Sequence, residues 1–252
     1  HVIPKNLRNA LLDSAIAQNI AYANSAAIQM EVPTTEILVD NMDFYINSRE
    51  SEYTPIFDKE KNVLVFNARY KDFKNEHQFA DYQYMENIYF FDLDEMVSST
   101  YDESLKQDSH SAVVSKNTGS DTIVIYYHNV LWITTSVGDR LQSRQELPAN
   151  LTNFYFQPHG VFSTDQQSFY FSAKNSPEDN LDLYESHKKG NQWSEPKKIG
   201  GKINTKYDED SPYFSTDGKT MYFSSKGHGS SGGYDIFKTT LENGVWTTPI
   251  AM

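Results

Sequence analysis

The sequence predicts an all-β chain: a β-propeller of four-stranded antiparallel blades, about four of them, with a short helical segment in front. Three observations predict it. A block of about 50 residues recurs four times after residue 35. Each copy alternates short aromatic-rich runs with polar turns. The chain holds 17 Tyr and 15 Phe in 252 residues, and aromatic side chains suit the half-buried surface of a strand.

From Asn6 to about Met30, Leu7, Ala10, Leu11, Ala15, Ile16, Ile20, Ala23 and Ala27 recur at helical spacing, and Pro33 stops the pattern. Residues 1–35 are therefore expected to be helical, either lying on the propeller or closing a helical-repeat array. Pro55–Phe66 then aligns without gaps on Pro212–Phe223, and Gly160–Phe171 is a third copy. A weaker fourth copy begins near Ala112-Val113-Val114 and runs through Thr122–Tyr126. Each copy reads as a strand, a tight turn and a strand, which is a hairpin. A third strand is expected at Asn87–Phe90, Val130–Trp132, Asp182–Tyr184 and Asp235–Phe237. A fourth is expected at Trp193–Pro196 and Trp246–Pro249, with Leu141 at the tryptophan position of the second copy. The blades fall at about 53–98, 109–148, 158–200 and 210–252. The linkers repeat as well: Ile46-Asn47-Ser48-Arg49 and Ile203-Asn204-Thr205-Lys206 precede their copies by the same distance.

Charge and composition exclude several functions. With 34 acidic against 22 basic residues the net charge is -12, which repels a nucleic-acid backbone or an anionic membrane surface. The absence of cysteine removes disulfides, thiolate metal sites and a cysteine nucleophile. No apolar run approaches the length of a membrane span, so no direct membrane insertion is expected.

Ser211–Ser225 resembles the WD40-like repeat of the TolB type, whose core reads Ser-Pro-x-Phe-Ser-x-Asp-Gly-Lys before an aromatic strand. The longer stretch from Ile203 to Phe237, with Gly232-Gly233-Tyr234-Asp235, is similar to the version found in envelope proteins of Bacteroidota. The resemblance covers about residues 36–252 and is weakest in the second copy, where Lys116–Asp121 replaces the Asp-Gly turn. It implies a periplasmic protein associated with the outer membrane, with other envelope proteins as partners, as in a lipoprotein of the type IX secretion and gliding apparatus. It also implies a tetratricopeptide-type region before the propeller. Peptidoglycan would be reached only through a domain outside this chain.

The chemistry-bearing motifs read as structure. Asp217-Gly218 suits a tight turn. The sequence Ser215-Thr216-Asp217-Gly218 lacks the extra residue of a sialidase Asp-box. Gly229–Gly233 has the form Gly-x-Ser-x-Gly, but a strand follows it and no histidine lies beyond Ser231, so a flexible loop is expected. The histidines are scattered without metal-ligand spacing, and Asp208-Glu209-Asp210 reads as a solvated acidic loop. No catalytic, cofactor or metal site is expected. The candidate partner-binding loop is the insertion Arg69–Met85, whose Tyr70, Phe73, Phe79, Tyr82 and Tyr84 either anchor a partner or fold back on the blade.

The expected function is thus protein binding or scaffolding without catalysis. The alternatives are an accessory propeller of a peptidase or glycosidase, or a glycan-binding module. Glu36–Asp40 reads as an orphan outer strand, so a further blade beyond Met252 is expected to pair with it and close the ring.

Overall fold

The computed structural model describes residues 17, 20, 23, 24, 42, 46–70, 84–100, 110–117, 120–127, 130–137, 140–142 and 144–252. Ala17, Ile20, Ala23 and Asn24 are helical; the rest of the segment 1–35 and the strand expected at Glu36–Asp40 lie outside the described residues. Four antiparallel sheets follow one another along the chain. Blade A holds β1 (Glu52–Asp58), β2 (Val63–Ala68), β3 (Asn87–Asp92) and β4 (Val97–Thr100). Blade B holds β5 (Ser111–Lys116), β6 (Thr122–Tyr127), β7 (Val130–Val137), β8 (Arg140–Leu141) and β9 (Gln145–Glu146). A short helix, α1 (Ala149–Thr152), leads to blade C, with β10 (Gly160–Phe162), β11 (Ser168–Ala173), β12 (Asp182–Lys189), β13 (Gln192–Trp193) and β14 (Lys197–Lys198). Blade D repeats the plan with β15 (Glu209–Phe214), β16 (Thr220–Ser225), β17 (Asp235–Glu242), β18 (Val245–Trp246) and β19 (Ile250–Ala251).

The blades pack face to face in chain order. Val65, Ile88 and Phe90 of blade A meet Val113, Ile123 and Ile125 of blade B. Val124 and Leu131 of blade B meet Phe162, Phe169 and Phe171 of blade C. Val161, Tyr170 and Leu183 of blade C meet Phe214, Met221, Phe223 and Phe237 of blade D. β11 lies between the sheets of blades B and D and is buried on both sides, so it reads as a continuous buried run rather than an alternating one. β2 is buried as continuously, with blade B on one face and Ile46 and Tyr70 on the other.

The hairpin turns of blades C and D share one hydrogen-bond plan. Asp165 accepts from Ser163 Oγ at 2.6 Å and from Gln167 N at 3.0 Å. Asp217 accepts from Ser215 Oγ and from Lys219 N at 2.9 Å. The residue after each aspartate is left-handed: Gly218 has φ 66° and Gln166 φ 57°. Gly218 is at ease there, whereas Gln166 is a side-chain residue in a region few such residues adopt.

The fourth strand departs from expectation. In blades B, C and D it breaks after two residues and resumes near the chain's return: β13 and β14 both pair with β12, as β18 and β19 do with β17. In blades C and D the gap holds Pro196 and Pro249, which have no N–H to give the ladder, while blade B has Arg144 at that place; in all three the third strand fills the gap with a hydroxyl. Ser186 Oγ donates to Ser194 O at 2.6 Å, Thr239 Oγ1 to Thr247 O at 2.7 Å, and Thr134 Oγ1 to Gln142 O at 3.1 Å. Leu141 does occupy the tryptophan position: it pairs with Ser136 as Trp193 pairs with Lys188 and Trp246 with Leu241.

Candidate functional site

The first strands of the blades line a central opening. Two cavities lie along it, of about 740 and about 640 Å³, sharing Thr54, Val114 and His159. The first sits at the hairpin-turn end, among Phe57, Asp58, Lys116, Asp121, His159, Ser211 and others. The second lies toward the start of β1, among Tyr53, Asn67, Arg69, Glu86, Tyr126 and Phe156.

Most charged groups here are engaged in holding one blade to the next. In the first cavity, burial raises the carboxyl of Asp58, but the Lys116 ammonium at 2.7 Å and the Lys61 side reverse this and hold it below its ordinary value. That ion pair joins blades A and B. At the second cavity, Asn67 donates its Nδ2 to Val113 O at 2.9 Å and accepts from Val113 N at 2.7 Å, so a buried side chain supplies a strand-like pairing between the same two blades. Ser115 Oγ donates to Gly160 O at 2.7 Å and joins B to C.

Blades C and D are joined by Asp210, which lies 2.8 Å from His159 Nδ1 and accepts from Ser172 Oγ at 2.6 Å and Ser211 N at 2.7 Å. Burial acts to raise this carboxyl, and the contacts with His159, Ser172 and Ser211 outweigh it and lower it. Ser211, His159 and Asp210 together contain the residue types of a hydrolytic triad. Their geometry is not that of one. Ser211 Oγ approaches the same Nδ1 atom, at 3.4 Å, that Asp210 occupies, whereas a triad places serine and carboxylate on opposite ring nitrogens.

In the second cavity Tyr53 is held protonated. Burial, and then its hydrogen bond to Glu86, raise its phenol well above the ordinary tyrosine value, although Arg69 Nε donates to its oxygen at 3.4 Å. At this mouth Tyr155 and Phe156 are exposed, with Lys174 Nζ 5.8 Å and 6.0 Å from their ring centroids. Charged and aromatic groups fixed side by side can hold a partner's side chain.

Of the five aromatic residues expected to bind a partner, Phe73, Phe79 and Tyr82 lie outside the described residues. Tyr70 is folded back on blade A: its ring lies 4.7 Å from that of Tyr89 and 6.5 Å from that of Phe66, and its hydroxyl donates to Ile46 O at 2.8 Å. Tyr84 is half-buried. The run Asp208–Asp210 is not a solvated loop. Asp208 pairs with Lys226 at 2.7 Å, and Glu209 is fully buried, accepting from Thr205 N at 2.9 Å, Thr205 Oγ1 at 2.6 Å and Ser225 Oγ at 2.9 Å. Ser48 and Glu52 repeat this arrangement in blade A, with Ser48 N 3.0 Å from Glu52 Oε1. The glycine loop is also pinned, since Ser230 is buried and donates to Lys226 O at 2.8 Å, and Ser231 N donates to Asp235.

Sequential four-stranded blades around a lined axis define the class: a β-propeller. Among solved structures the chain is similar to TolB from Acinetobacter baumannii, at 14% identity and a TM-score of 0.50, covering 79% of this chain and 42% of that one. It is also similar to the β-propeller domain of the Trilobed protease from Pyrococcus furiosus (11% identity, TM-score 0.41, 80% and 57% covered) and to a prolyl endopeptidase (9%, 0.41, 88% and 30%). The chain thus spans less than two thirds of the length of each of these proteins. No protein-family model matches the sequence, and no curated protein does. Among the described residues no helix is long and apolar enough to cross a membrane.

Proposed function

We propose that this chain is a non-catalytic binding platform in a bacterial envelope, periplasmic and associated with the outer membrane, which holds protein partners at the axial mouth beside Tyr155 and Phe156. The observation that carries the reading is the use made of the axial polar groups. Asp58–Lys116, Asn67–Val113 and His159–Asp210 tie neighbouring blades together, and a rigid scaffold with an exposed aromatic rim serves recognition. The envelope setting, and a place in a type IX secretion or gliding machine like that of the lipoprotein PorE, draw their support from the repeat Ile203–Phe237.

Two measurements test this together. A photo-crosslinking residue at Tyr155 or Phe156, introduced in the intact envelope, is expected to yield one dominant protein adduct that a site on the far side, at Val245, does not. Purified protein is expected to turn over no ester, peptide or glycoside substrate. Turnover abolished by Ser211→Ala or Ser231→Ala would overturn the reading.

A further inference from the structure

Blade D has one face that does not match the others. In β11 of blade C five successive residues, Phe169 to Ala173, are buried, whereas in β16 burial alternates, with Met221, Phe223 and Ser225 buried and Tyr222 and Ser224 half-exposed. Equivalent positions locate the difference. The second residue of the third strand is Ile88 in blade A, Leu131 in B, Leu183 in C and Ile236 in D, set by its partner in the second strand: Asn67, Tyr126, Ser172 and Ser224. The first three are 3%, 0% and 0% exposed, each under the next blade, and Ile236 is 58% exposed.

The rest of that face follows. Val161, Leu181 and Ile199 of blade C are buried, and their counterparts Tyr213, Tyr234 and Met252 in blade D are exposed. The counterparts hold the same backbone places. Ile199 N donates to Leu183 O at 2.9 Å, and Met252 N donates to Ile236 O at 3.0 Å. On blade C this surface is covered by blade D and by the linker before it. Ile203 is fully buried, and Asn204 accepts from Leu183 N at 2.7 Å while donating to Leu183 O at 3.0 Å and Ile199 O at 3.2 Å.

We infer that this far face of blade D is a docking surface, and that its occupant is a further four-stranded blade of the same repeat. The surface continues the series of junctions A–B, B–C and C–D, and what fits it is what fits blade C. That is a sheet presenting apolar residues where Phe214, Met221, Phe223 and Phe237 stand, led in by an isoleucine and an asparagine where Ile203 and Asn204 stand. An apolar face of this kind is stabilised by a matched sheet because its area leaves water while the asparagine satisfies the strand edge.

The chain contains no cysteine, so a single introduced thiol reports on one place. A second copy of residues 200–252 joined directly after Met252 carries its own Ile203 and Asn204 at the spacing that follows Ile199. In that extended chain, Ile236→Cys in the first copy is expected to react with a maleimide at least about tenfold more slowly than in the 252-residue chain. Val245→Cys, on an exposed hairpin, is expected to react alike in both. An appended copy that stays unfolded, or one that leaves the Ile236→Cys rate unchanged, overturns the proposal. So does protection already present in the 252-residue chain and lost on dilution, which would give the face to a second copy of the whole chain.

Discussion

Blades C and D are built from the same repeat, with the same turn, the same broken fourth strand and the same hydroxyl bridging it, yet they differ in what lies against their far faces. Blade C is closed in on both sides; blade D is closed in on one. The near face of D buries Met221, Phe223 and Phe237 against Tyr170 and Leu183, while its far face exposes Tyr213, Ile236 and Met252. The lesson is that the repeat specifies a sheet with two sticky faces, and burial at a given repeat position is decided by neighbours rather than by the residue. Leucine and isoleucine are near equals in apolar area, so the step from Leu183 to Ile236 is not one of hydrophobicity.

The largest expected effect is on the closed side. Phe223→Ala, which removes a ring buried at the C–D junction, is expected to cost about 3–5 kcal/mol in a urea titration, because the packed sheets relax only partly into the space. A loss below about 1 kcal/mol would mean that Phe223 does not pack tightly between blades C and D.

The two tryptophans sharpen it. Both occupy the same register, but Trp246 is buried across the junction, with its ring 6.3 Å from Tyr170 and 5.9 Å from Phe214, while Trp193 is half-buried against Phe162 and Phe169 of its own blade. Trp246→Ala is therefore expected to cost about 3–4 kcal/mol and Trp193→Ala about half of that. Thermal or denaturant melts of the two variants side by side would show it; equal losses would mean that Trp246 does not bridge the blades.

A smaller effect is expected at the polar latch of the same junction. Asp210 has its carboxyl lowered in the folded chain, so its contribution is present above the ordinary carboxylate range and is lost as pH falls through the lowered value. Asp210→Asn is expected to destabilise by about 1–3 kcal/mol at neutral pH. The gap to the parent chain should then close on acidification. A gap that stays constant down to acid pH would remove the carboxylate from the account.

Much of the fold was legible because the repeat carries it. The turn at Asp217-Gly218, the third strands and the equivalence of Leu141 with Trp193 and Trp246 all follow from residues within one copy. What was not legible depends on partners far along the chain. Asp208-Glu209-Asp210 looks like a solvated acidic run, and nothing nearby in sequence shows that Ser225, Lys226 and His159 will meet it. The break in the fourth strand is marked by Pro196 and Pro249 in blades C and D, but blade B breaks alike with Arg144 at that place, so proline alone does not signal it. Asn67 offered a fainter signal, since it puts an amide where the other copies have Tyr126, Ser172 and Ser224. Tyr70 could anchor a partner or cover the blade equally well, and only the position of Tyr89 decides between them.

One substitution made at two equivalent positions separates the covered face from the open one. Aspartate at Leu183 places a charge under blade D, with a cost of at least about 3 kcal/mol. Aspartate at Ile236 places it in water, where the expected change is within about 0.5 kcal/mol. Urea titrations of Leu183→Asp and Ile236→Asp in the 252-residue chain measure both. Ile236→Asp is expected to be near-silent beside a severely weakened Leu183→Asp; comparable losses in the two would mean that the far face of blade D is already covered in the 252-residue chain.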